Sequence, residues 1–264
     1  MAAYLRGPFS ATRGTRRGEL LLTVATWNVL HRVHAENWGE DTAATWPDES
    51  QRIAAITALL VERTEPVTAL QEVSGDQLTG LRRALPDHTV HAMRYPRVPA
   101  PRHGTKPLDD PGEYLVLLVR GPSRQLAAEA FNDDSGKGLL AVRTHGALVV
   151  ATHVSFGRRR PRQLARLAEL AADSTDPVIL LGDFNADRVT VADGLGPEFI
   201  VAELPPDAPP TRPDGRSAGS QHIDHVVVRG GDVRDVMVED VHGLSDHNLL
   251  RANVTGIAAR SASE

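Results

Sequence analysis

Short apolar segments that stop at a polar residue constrain the fold of this chain more than any other feature of its sequence. They recur along the chain at residues 20–26, 67–70, 114–119, 125–131, 138–142, 147–153, 178–181, 222–228 and 249–254. Segments of this length, rich in Val, Leu and Ile and bounded by turn residues, are typical of buried β-strands. The pattern therefore predicts a chain dominated by strands.

Three longer segments have the spacing of amphipathic helices. They cover residues 50–63, 77–85 and 161–172. In the first, Ile53, Ile56 and Leu60 fall on one face, and Asp48 or Ser50 is available as the N-cap. Periodicity alone leaves a doubly wound sheet equally open. The strand-rich middle and end of the chain favour a four-layer α/β sandwich, in which two packed, mainly antiparallel sheets are flanked by helices.

Length and composition set the wider limits. The chain has 264 residues, no cysteine, a formal net charge of −5 and 4% aromatic residues. We expect a loosely ordered N-terminal lead-in at residues 1–18 and a single domain at residues 19–264, with an exposed loop at residues 95–111. The absence of cysteine excludes disulfides and thiolate metal ligands. With no apolar leader or membrane span in the sequence, we predict a cytoplasmic protein without a membrane partner.

Side chains that can bind a metal ion stand where the apolar segments stop. These are Asn28, Glu72, His153, Asp183, Asn185, Asp246 and His247. Strand ends on one edge of a sheet converge in space, so distant sequence positions can share a pocket. Carboxylate and amide oxygens are ligands of hard cations such as Mg²⁺. Such a cation polarises a phosphoryl oxygen and lowers the pKa of a bound water molecule.

Each of these residues, taken alone, also has a purely structural explanation. Asp183 and Asn185 could simply shape a turn after a strand. His31 and His34, which follow the first apolar segment, could line the site, but surface positions are favoured. Asp224 is different, because it lies inside an apolar segment where an unpaired carboxylate is costly. It needs a partner, and a nearby histidine is a good candidate.

Six short motifs, in order, resemble those of the endonuclease/exonuclease/phosphatase superfamily, which shares the deoxyribonuclease-type α/β sandwich. They are Thr26-Trp27-Asn28-Val29-Leu30, Leu70-Gln71-Glu72-Val73, Thr152-His153-Val154, Gly182-Asp183-Phe184-Asn185, Ile223-Asp224-His225 and Ser245-Asp246-His247. Together they span residues 20–254 with plausible spacing. One motif is only moderately specific, whereas all six in order are strongly specific.

The resemblance implies a divalent metal ion, Mg²⁺ or Mn²⁺, and a set of residues near it. Glu72 matches the metal-ligating glutamate of the superfamily, and Asn28 matches the asparagine beside the same metal. Asp246 matches a residue close to the metal. The metal would neutralise charge on a bound phosphate. Whether one or two ions bind is left open by the sequence.

The resemblance also implies catalytic roles for five residues. Asp183 matches the aspartate that orients or deprotonates the attacking water, and Asn185 matches the amide that holds both the phosphate and Asp183. His247 matches the histidine placed against the phosphate, as general base or as charge stabiliser. Asp224 matches the carboxylate that fixes the tautomer of His247. His153 matches a second phosphate-facing histidine.

These expectations describe a single catalytic domain that hydrolyses phosphoester bonds with metal-activated water. Arg158, Arg159 and Arg162 follow His153 and are candidates for a substrate-binding rim, although a solvated helix start explains them equally well. The rim favours a phosphodiesterase or nuclease, with nucleic acid as the substrate. The acidic net charge and the few aromatic residues favour the alternative, a phosphoesterase of nucleotides, sugar phosphates or inositol phosphates. A non-catalytic phosphate-binding module is the third hypothesis. The sequence leaves the oligomeric state open.

Overall fold

Two six-stranded sheets packed face to face form the centre of the molecule. The computed structural model describes residues 19–102, 108–213 and 219–258, so the predicted lead-in at residues 1–18 lies outside the described residues. The first sheet has the spatial order β11 (Asp232–Glu239), β12 (Leu249–Ala258), β1 (Glu19–Asn28), β2 (Val67–Ser74), β4 (Glu113–Arg120) and β3 (His88–Arg94). The second has the order β5 (Ser123–Phe131), β6 (Asp134–Thr144), β7 (Ala147–His153), β8 (Val178–Asp183), β10 (Asp224–Arg229) and β9 (Phe199–Val201).

Helices cover the outer faces of both sheets. These are α3 (Glu49–Val61), α4 (Gly75–Ala84), α5 (Arg160–Ala172) and α6 (Arg188–Leu195), whereas the short helices α1 (Arg32–Trp38) and α2 (Asp41–Thr45) follow the end of β1. Apolar residues of α3 and α4 pack against β1, β2 and β4, and those of α5 and α6 pack against the second sheet. A third apolar core fills the space between the sheets. The predicted four-layer α/β sandwich is confirmed. In the described part of the chain, no helix is long and apolar enough to cross a membrane.

Burial on both faces explains why the strands read as continuous apolar runs. In β1, Leu22 and Val24 enter the core between the sheets, whereas Ala25 and Trp27 pack under the helices. A strand covered on both sides needs no polar face, so alternation is lost. Within each sheet one neighbouring pair is parallel, β1 with β2 and β7 with β8, and the other pairs are antiparallel.

Several elements do not follow from the apolar pattern. Strands β3 and β11 lie at the two edges of the first sheet and carry polar, exposed side chains, so they contain no apolar run. Helices α1, α2 and α6 have five to eight residues, too few for a clear periodic pattern. The predicted exposed loop at residues 95–111 is wrong at its start, because Tyr95 is buried and its N–H donates to the Glu113 carbonyl, 2.9 Å away. Residues 103–107 of that loop lie outside the described residues.

Gly182 allows the parallel strands β7 and β8 to approach each other closely, directly before Asp183. A Cβ atom at this position would lie 1.9 Å from the carbonyl oxygen of Thr152. We expect Gly182→Ala to lower the free energy of unfolding by roughly 3 kcal/mol, near the top of the range for overpacking, because the contact is with backbone. Urea unfolding measures this change.

Gly80→Ala is the matched control, because a Cβ atom there meets only side-chain atoms at 3.7 Å in the middle of α4. It should stabilise the protein by up to about 1 kcal/mol through helix propensity. An unchanged unfolding midpoint for Gly182→Ala would contradict the packing argument.

Candidate active site

One cleft collects side chains at or near the strand ends. Its volume is about 630 Å³. The predicted residues that line it are Asn28, Glu72, His153, Asp183, Asn185, Asp246 and His247. Asp224 is fully buried and lies behind the cleft, against the ring of His247. The structure therefore brings together all eight residues that the motifs singled out.

The strand registers place these side chains. His153 is paired with Asp183 across β7 and β8, and Asp183 is paired with Asp224 across β8 and β10. His153 Nε2 lies 3.1 Å from Asp183 Oδ2. The other sheet contributes Asn28 at the end of β1, whose amide nitrogen lies 3.2 Å from both Asp183 Oδ2 and Glu72 Oε1. A single amide thus connects carboxylates from the two sheets.

The backbone at two of the site residues has an unusual conformation. Glu72 and Asn185 have positive φ angles of 58° and 49°. At Glu72 this coincides with an irregularity in the β2–β4 ladder between Leu70 and Val73. Left-handed backbone costs about 1–3 kcal/mol in a residue other than glycine or asparagine, and such residues concentrate at functional sites. The conformation at Glu72 is therefore consistent with a functional role.

Asn185 and Asn28 hold the two carboxylates in place. The Asn185 N–H donates to Asp183 Oδ1 over 2.8 Å, and its amide nitrogen donates to the Val154 carbonyl over 2.9 Å. The Asn28 amide oxygen accepts from the Leu30 N–H, 3.0 Å away. This bond turns the amide nitrogen of Asn28 towards the carboxylates. In this arrangement the amide nitrogen of Asn28 orients Glu72 and Asp183, and its predicted place beside the metal stays a prediction.

Both carboxylates are ionised because positive groups surround them. Burial opposes ionisation of Glu72, but His34, His153 and Lys137 outweigh it and hold the pKa of Glu72 well below its ordinary value. For Asp183, burial is again outweighed, by His153 first and then His247 and Lys137, and the pKa of Asp183 is also strongly lowered. Ionised, buried oxygens of this kind are suited to binding a divalent cation.

His247 and Asp224 form a buried pair. His247 Nδ1 lies 2.8 Å from Asp224 Oδ2, so Nε2 faces the cleft, 4.0 Å from Asp183 Oδ2. Burial lowers the pKa of His247, but Asp224, Asp246 and Asp183 outweigh it and raise that pKa to about 10. The ring is therefore a cation at neutral pH. The Trp27 indole N–H donates to the His247 carbonyl over 2.9 Å and fixes the backbone that carries the ring.

Asp246 binds an arginine that sequence reasoning missed. Arg212 lies 3.0 Å from Asp246 and 3.1 Å from Glu40 and lines the cleft between them. It belongs to the Pro- and Gly-rich stretch before β10, which has no motif. The predicted role of Asp246 beside the metal stays a prediction, since its carboxylate is engaged with Arg212.

Further residues of the cleft were not predicted. Lys137, on β6, contacts His153 Nε2 and lines the cleft. For His31 and His34 the favoured surface position is wrong: His31 is buried, and His34 lines the cleft, half-buried and 3.2 Å from Glu113. The reason is α1, which begins directly after His31 and lies over the strand ends; His31 caps it through Nδ1. The side chain of Glu113, at the start of β4, is fully buried.

The three arginines predicted to bind substrate are separated by the local geometry. Arg159 lines the cleft and lies 3.1 Å from Asp134. Arg158 and Arg162 are exposed and are not among the cleft residues in the described part of the chain. The short 3₁₀ turn at Gly157–Arg159 leads directly into α5, so successive side chains point in different directions. Arg97, Arg102 and Arg212 also line the cleft, where Arg97 is paired with Asp134 and Arg212 with Asp246 and Glu40.

His225, next to Asp224, predicts a loss of stability in acid. Burial lowers the pKa of His225 to about 4, although its bond to the Ala186 carbonyl and the charge of Asp183 oppose the change. The folded protein therefore takes up this proton at lower pH than the unfolded chain does. As pH falls from 6.5 through 4, this one group should remove about 3 kcal/mol from the free energy of unfolding.

His225→Gln removes the titrating group and keeps a donor for Ala186. The variant should lose less stability than the wild type between pH 7 and pH 4.5, measured by urea unfolding at each pH. An equal loss in both proteins would contradict the assignment.

Comparison with known proteins agrees with this geometry. The profile of the Endonuclease/Exonuclease/phosphatase family matches residues 25–247. No curated protein sequence matches the chain. Among solved structures, TDP2 from D. rerio in complex with a single-strand DNA product is similar, with 15% identity and a TM-score of 0.65 over 89% of this chain and 98% of that chain.

Two other solved structures have the same fold. ANGEL2, a 2',3'-cyclic phosphatase in complex with adenosine-2',3'-vanadate, has 14% identity and a TM-score of 0.62 over 90% of this chain and 96% of that chain. An endonuclease/exonuclease/phosphatase family protein from Bacteroides thetaiotaomicron has 17% identity and a TM-score of 0.60 over 90% of this chain and 95% of that chain. The match over residues 25–247 covers most of the sequence, so the chain belongs to the endonuclease/exonuclease/phosphatase family and is a phosphoester hydrolase.

Proposed function

We propose that this enzyme cleaves phosphodiester bonds, with a divalent cation, Mg²⁺ or Mn²⁺, held at Glu72. The observation that carries the proposal is the position of the Asp183 carboxylate. It lies 3.1 Å from His153, 3.2 Å from the Asn28 amide and 4.0 Å from His247. An ionised acid within reach of two histidines, in a cleft with a second ionised acid, is the arrangement that activates water beside a phosphate.

The residues divide the chemistry between proton transfer and charge stabilisation. Asp183 is the general base: its Oδ1 is held by Asn185, and its Oδ2, which contacts the Asn28 amide and His153, is the oxygen that accepts a proton from water. The raised pKa of His247 favours charge stabilisation over the role of base. Its Nε2–H donates to a phosphoryl oxygen, and Asp224 holds the opposite ring nitrogen. A bound cation would supply further neutralisation of the phosphate charge.

His153 and Lys137 add hydrogen-bond donors beside Asp183. Lys137 contacts His153 Nε2, and both line the cleft. In this arrangement they stabilise the negative charge that develops on the phosphate in the transition state. We place them with His247 as the groups that bind the reacting phosphate.

The catalytic unit in this proposal is one domain, residues 19–264. The absence of cysteine supports its predicted cytoplasmic location.

A panel of substrates tests the reaction type. The panel contains bis-p-nitrophenyl phosphate, p-nitrophenyl phosphate, plasmid DNA, RNA and a nucleotide pyrophosphate, each with Mg²⁺ or Mn²⁺ and with EDTA. We expect metal-dependent cleavage of diesters and little cleavage of the monoester. Preferred cleavage of the monoester would contradict the diesterase assignment. Phosphate binding without any cleavage would favour the non-catalytic module.

Nucleic acid is the substrate class that we propose. Four arginines line the cleft, namely Arg97, Arg102, Arg159 and Arg212. Such a rim suits a polyanion that extends beyond the reacting phosphate. The solved structures of TDP2 with single-strand DNA and of ANGEL2 with an adenosine vanadate support a nucleotide-containing substrate. The second candidate, a small-molecule phosphoesterase, is favoured by the net charge of −5.

Arg159 and Arg158 make a matched pair for this question, because they are neighbours and only Arg159 lines the cleft. For a nuclease, Arg159→Ala should raise KM for DNA or RNA by about tenfold and reduce its salt dependence, and Arg158→Ala should change neither. KM for bis-p-nitrophenyl phosphate should stay within about twofold in both variants, because the loss of one contact to an extended polyanion leaves a small diester unaffected. Equal KM values for nucleic acid in the two variants would favour the small-molecule enzyme.

A further inference from the structure

We propose that His34, Glu72 and Glu113 form the metal site, and that its histidine ligand makes it selective for a transition-metal ion, with Mn²⁺ as the probe, over Mg²⁺. The inference rests on the proposed function, because Glu72 is the ligand that both share. It adds two ligands from outside the six motifs. It also replaces the open choice between Mg²⁺ and Mn²⁺ with a prediction.

The geometry of the three side chains suits one ion. They come from α1, β2 and the start of β4, and their ligand atoms lie within 4.8 Å of one another. His34 Nε2 lies 3.2 Å from Glu113 Oε2. Ligands about 2.1 Å from a shared ion are separated by about 3–4 Å, so small side-chain movements would complete the site. The second such group in the described residues, Asp183, Asp224 and His247, is already accounted for by the His247–Asp224 pair.

The carboxylate of Glu113 has a partner for one oxygen and, in the described part of the chain, none for the other. Its side chain is fully buried, and among the described residues Oε1 has no hydrogen-bond partner. The carboxylate of Glu72 lies beside it. Two neighbouring carboxylates out of water are costly unless positive charge compensates them. Half-buried His34 bonds only the other oxygen of Glu113, which leaves Oε1 available to a cation.

The mixed ligand set determines which cation binds. Mg²⁺ requires octahedral oxygen ligands and keeps several waters, so a histidine nitrogen adds little to its affinity. Transition-metal ions accept imidazole together with carboxylates, and their affinity for such sites exceeds that of Mg²⁺. Cysteine is absent from the chain, so the site has no thiolate to favour softer ions. Two carboxylates and one imidazole therefore favour Mn²⁺ over Mg²⁺.

Metal binding to the metal-free protein tests the inference without reference to activity. Isothermal titration calorimetry should give a Kd for Mn²⁺ at least tenfold below that for Mg²⁺. Electron spin-echo measurements on the Mn²⁺ complex should show a coupled histidine nitrogen. In His34→Gln the nitrogen coupling should disappear and the preference for Mn²⁺ should fall below about threefold, because only oxygen ligands remain.

Glu113→Gln should raise the Kd for both ions by at least tenfold, the effect expected when one charged ligand is lost. Circular dichroism and thermal unfolding show whether this buried substitution leaves the protein folded; His34→Gln, at a half-buried position, is the second variant if it does not. His242→Gln and Glu169→Gln, both exposed and outside the cleft, are the matched controls and should leave both Kd values unchanged.

The outcomes separate the metal site from the proposed function. Retained nitrogen coupling and retained Mn²⁺ preference in His34→Gln would overturn the site, even if the enzyme cleaves diesters. Equal affinity of the wild type for Mg²⁺ and Mn²⁺ would also overturn it, and would leave His34, Glu72 and Glu113 as an ion-paired cluster. The expected binding results without cleavage of any diester would keep the site and reject the function.

Discussion

Asp183→Asn is expected to lower kcat by about 1,000-fold or more, with little change in the fold. The substitution keeps the shape of the side chain and the acceptor for the Asn185 N–H, which lies 2.8 Å from Oδ1. It removes the negative charge that His153 and His247 stabilise and the oxygen that accepts a proton from water. Loss of a general base costs 10²–10⁴-fold in rate, and removal of a group that also organises its neighbours lies at the upper end.

The measurement is steady-state hydrolysis of bis-p-nitrophenyl phosphate at saturating substrate and metal concentrations. Asp193→Asn is the control, because Asp193 lies exposed on α6 and outside the cleft. Its kcat should equal that of the wild type. A rate for Asp183→Asn within tenfold of the wild type would show that another group accepts the proton, and would remove Asp183 from the centre of the mechanism.

His247→Gln is expected to lower kcat by about 1,000-fold, because the variant loses the cation that faces the phosphate. Glutamine keeps a hydrogen-bond donor for the buried Asp224, which histidine contacts at 2.8 Å. This choice avoids the cost of about 3–5 kcal/mol that an unpaired buried charge carries. Asp224→Asn should reduce kcat by about 100-fold, because the ring loses the charge that raises its pKa.

The double variant His247→Gln/Asp224→Asn distinguishes a working pair from two independent residues. If Asp224 acts through His247, the double variant should be no slower than His247→Gln alone. The readout is kcat for all four proteins under identical metal and pH conditions. A decrease in kcat of about 10⁵-fold in the double variant, the product of the two single effects, would show that Asp224 has a role of its own.

The centre of the candidate site could be predicted because it lies at strand ends. Asn28, Glu72, His153 and Asp183 each end a buried apolar segment, and the register of a sheet brings such ends together. The same physical cause explains the sequence pattern and the position of the cleft. Residues of a strand are apolar where both faces of the sheet are covered, and polar residues occur where the strand reaches the cleft.

The wall of the site could not be predicted, because tertiary contacts alone bring it there. Glu113 begins a strand and is buried, although a charged residue at a strand end normally meets solvent. His34 depends on how α1 lies over the strand ends, and Arg212 depends on a stretch without periodicity. One signal in the sequence could have identified Glu113: it directly precedes the apolar run at residues 114–119, just as Glu72 follows the apolar run at residues 67–70.

The link from Asn28 to Asp183 joins two sheets that have no backbone hydrogen bonds to each other in the described strand pairings. The distance between the two catalytic carboxylates is therefore set by the thickness of the apolar layer that separates the sheets, filled by residues such as Leu117 and Val149. A displacement of about 1 Å can cost 100-fold in rate. If Glu72 and Asp183 act together as proposed, we expect substitutions that thin this apolar layer to slow the enzyme before they unfold it.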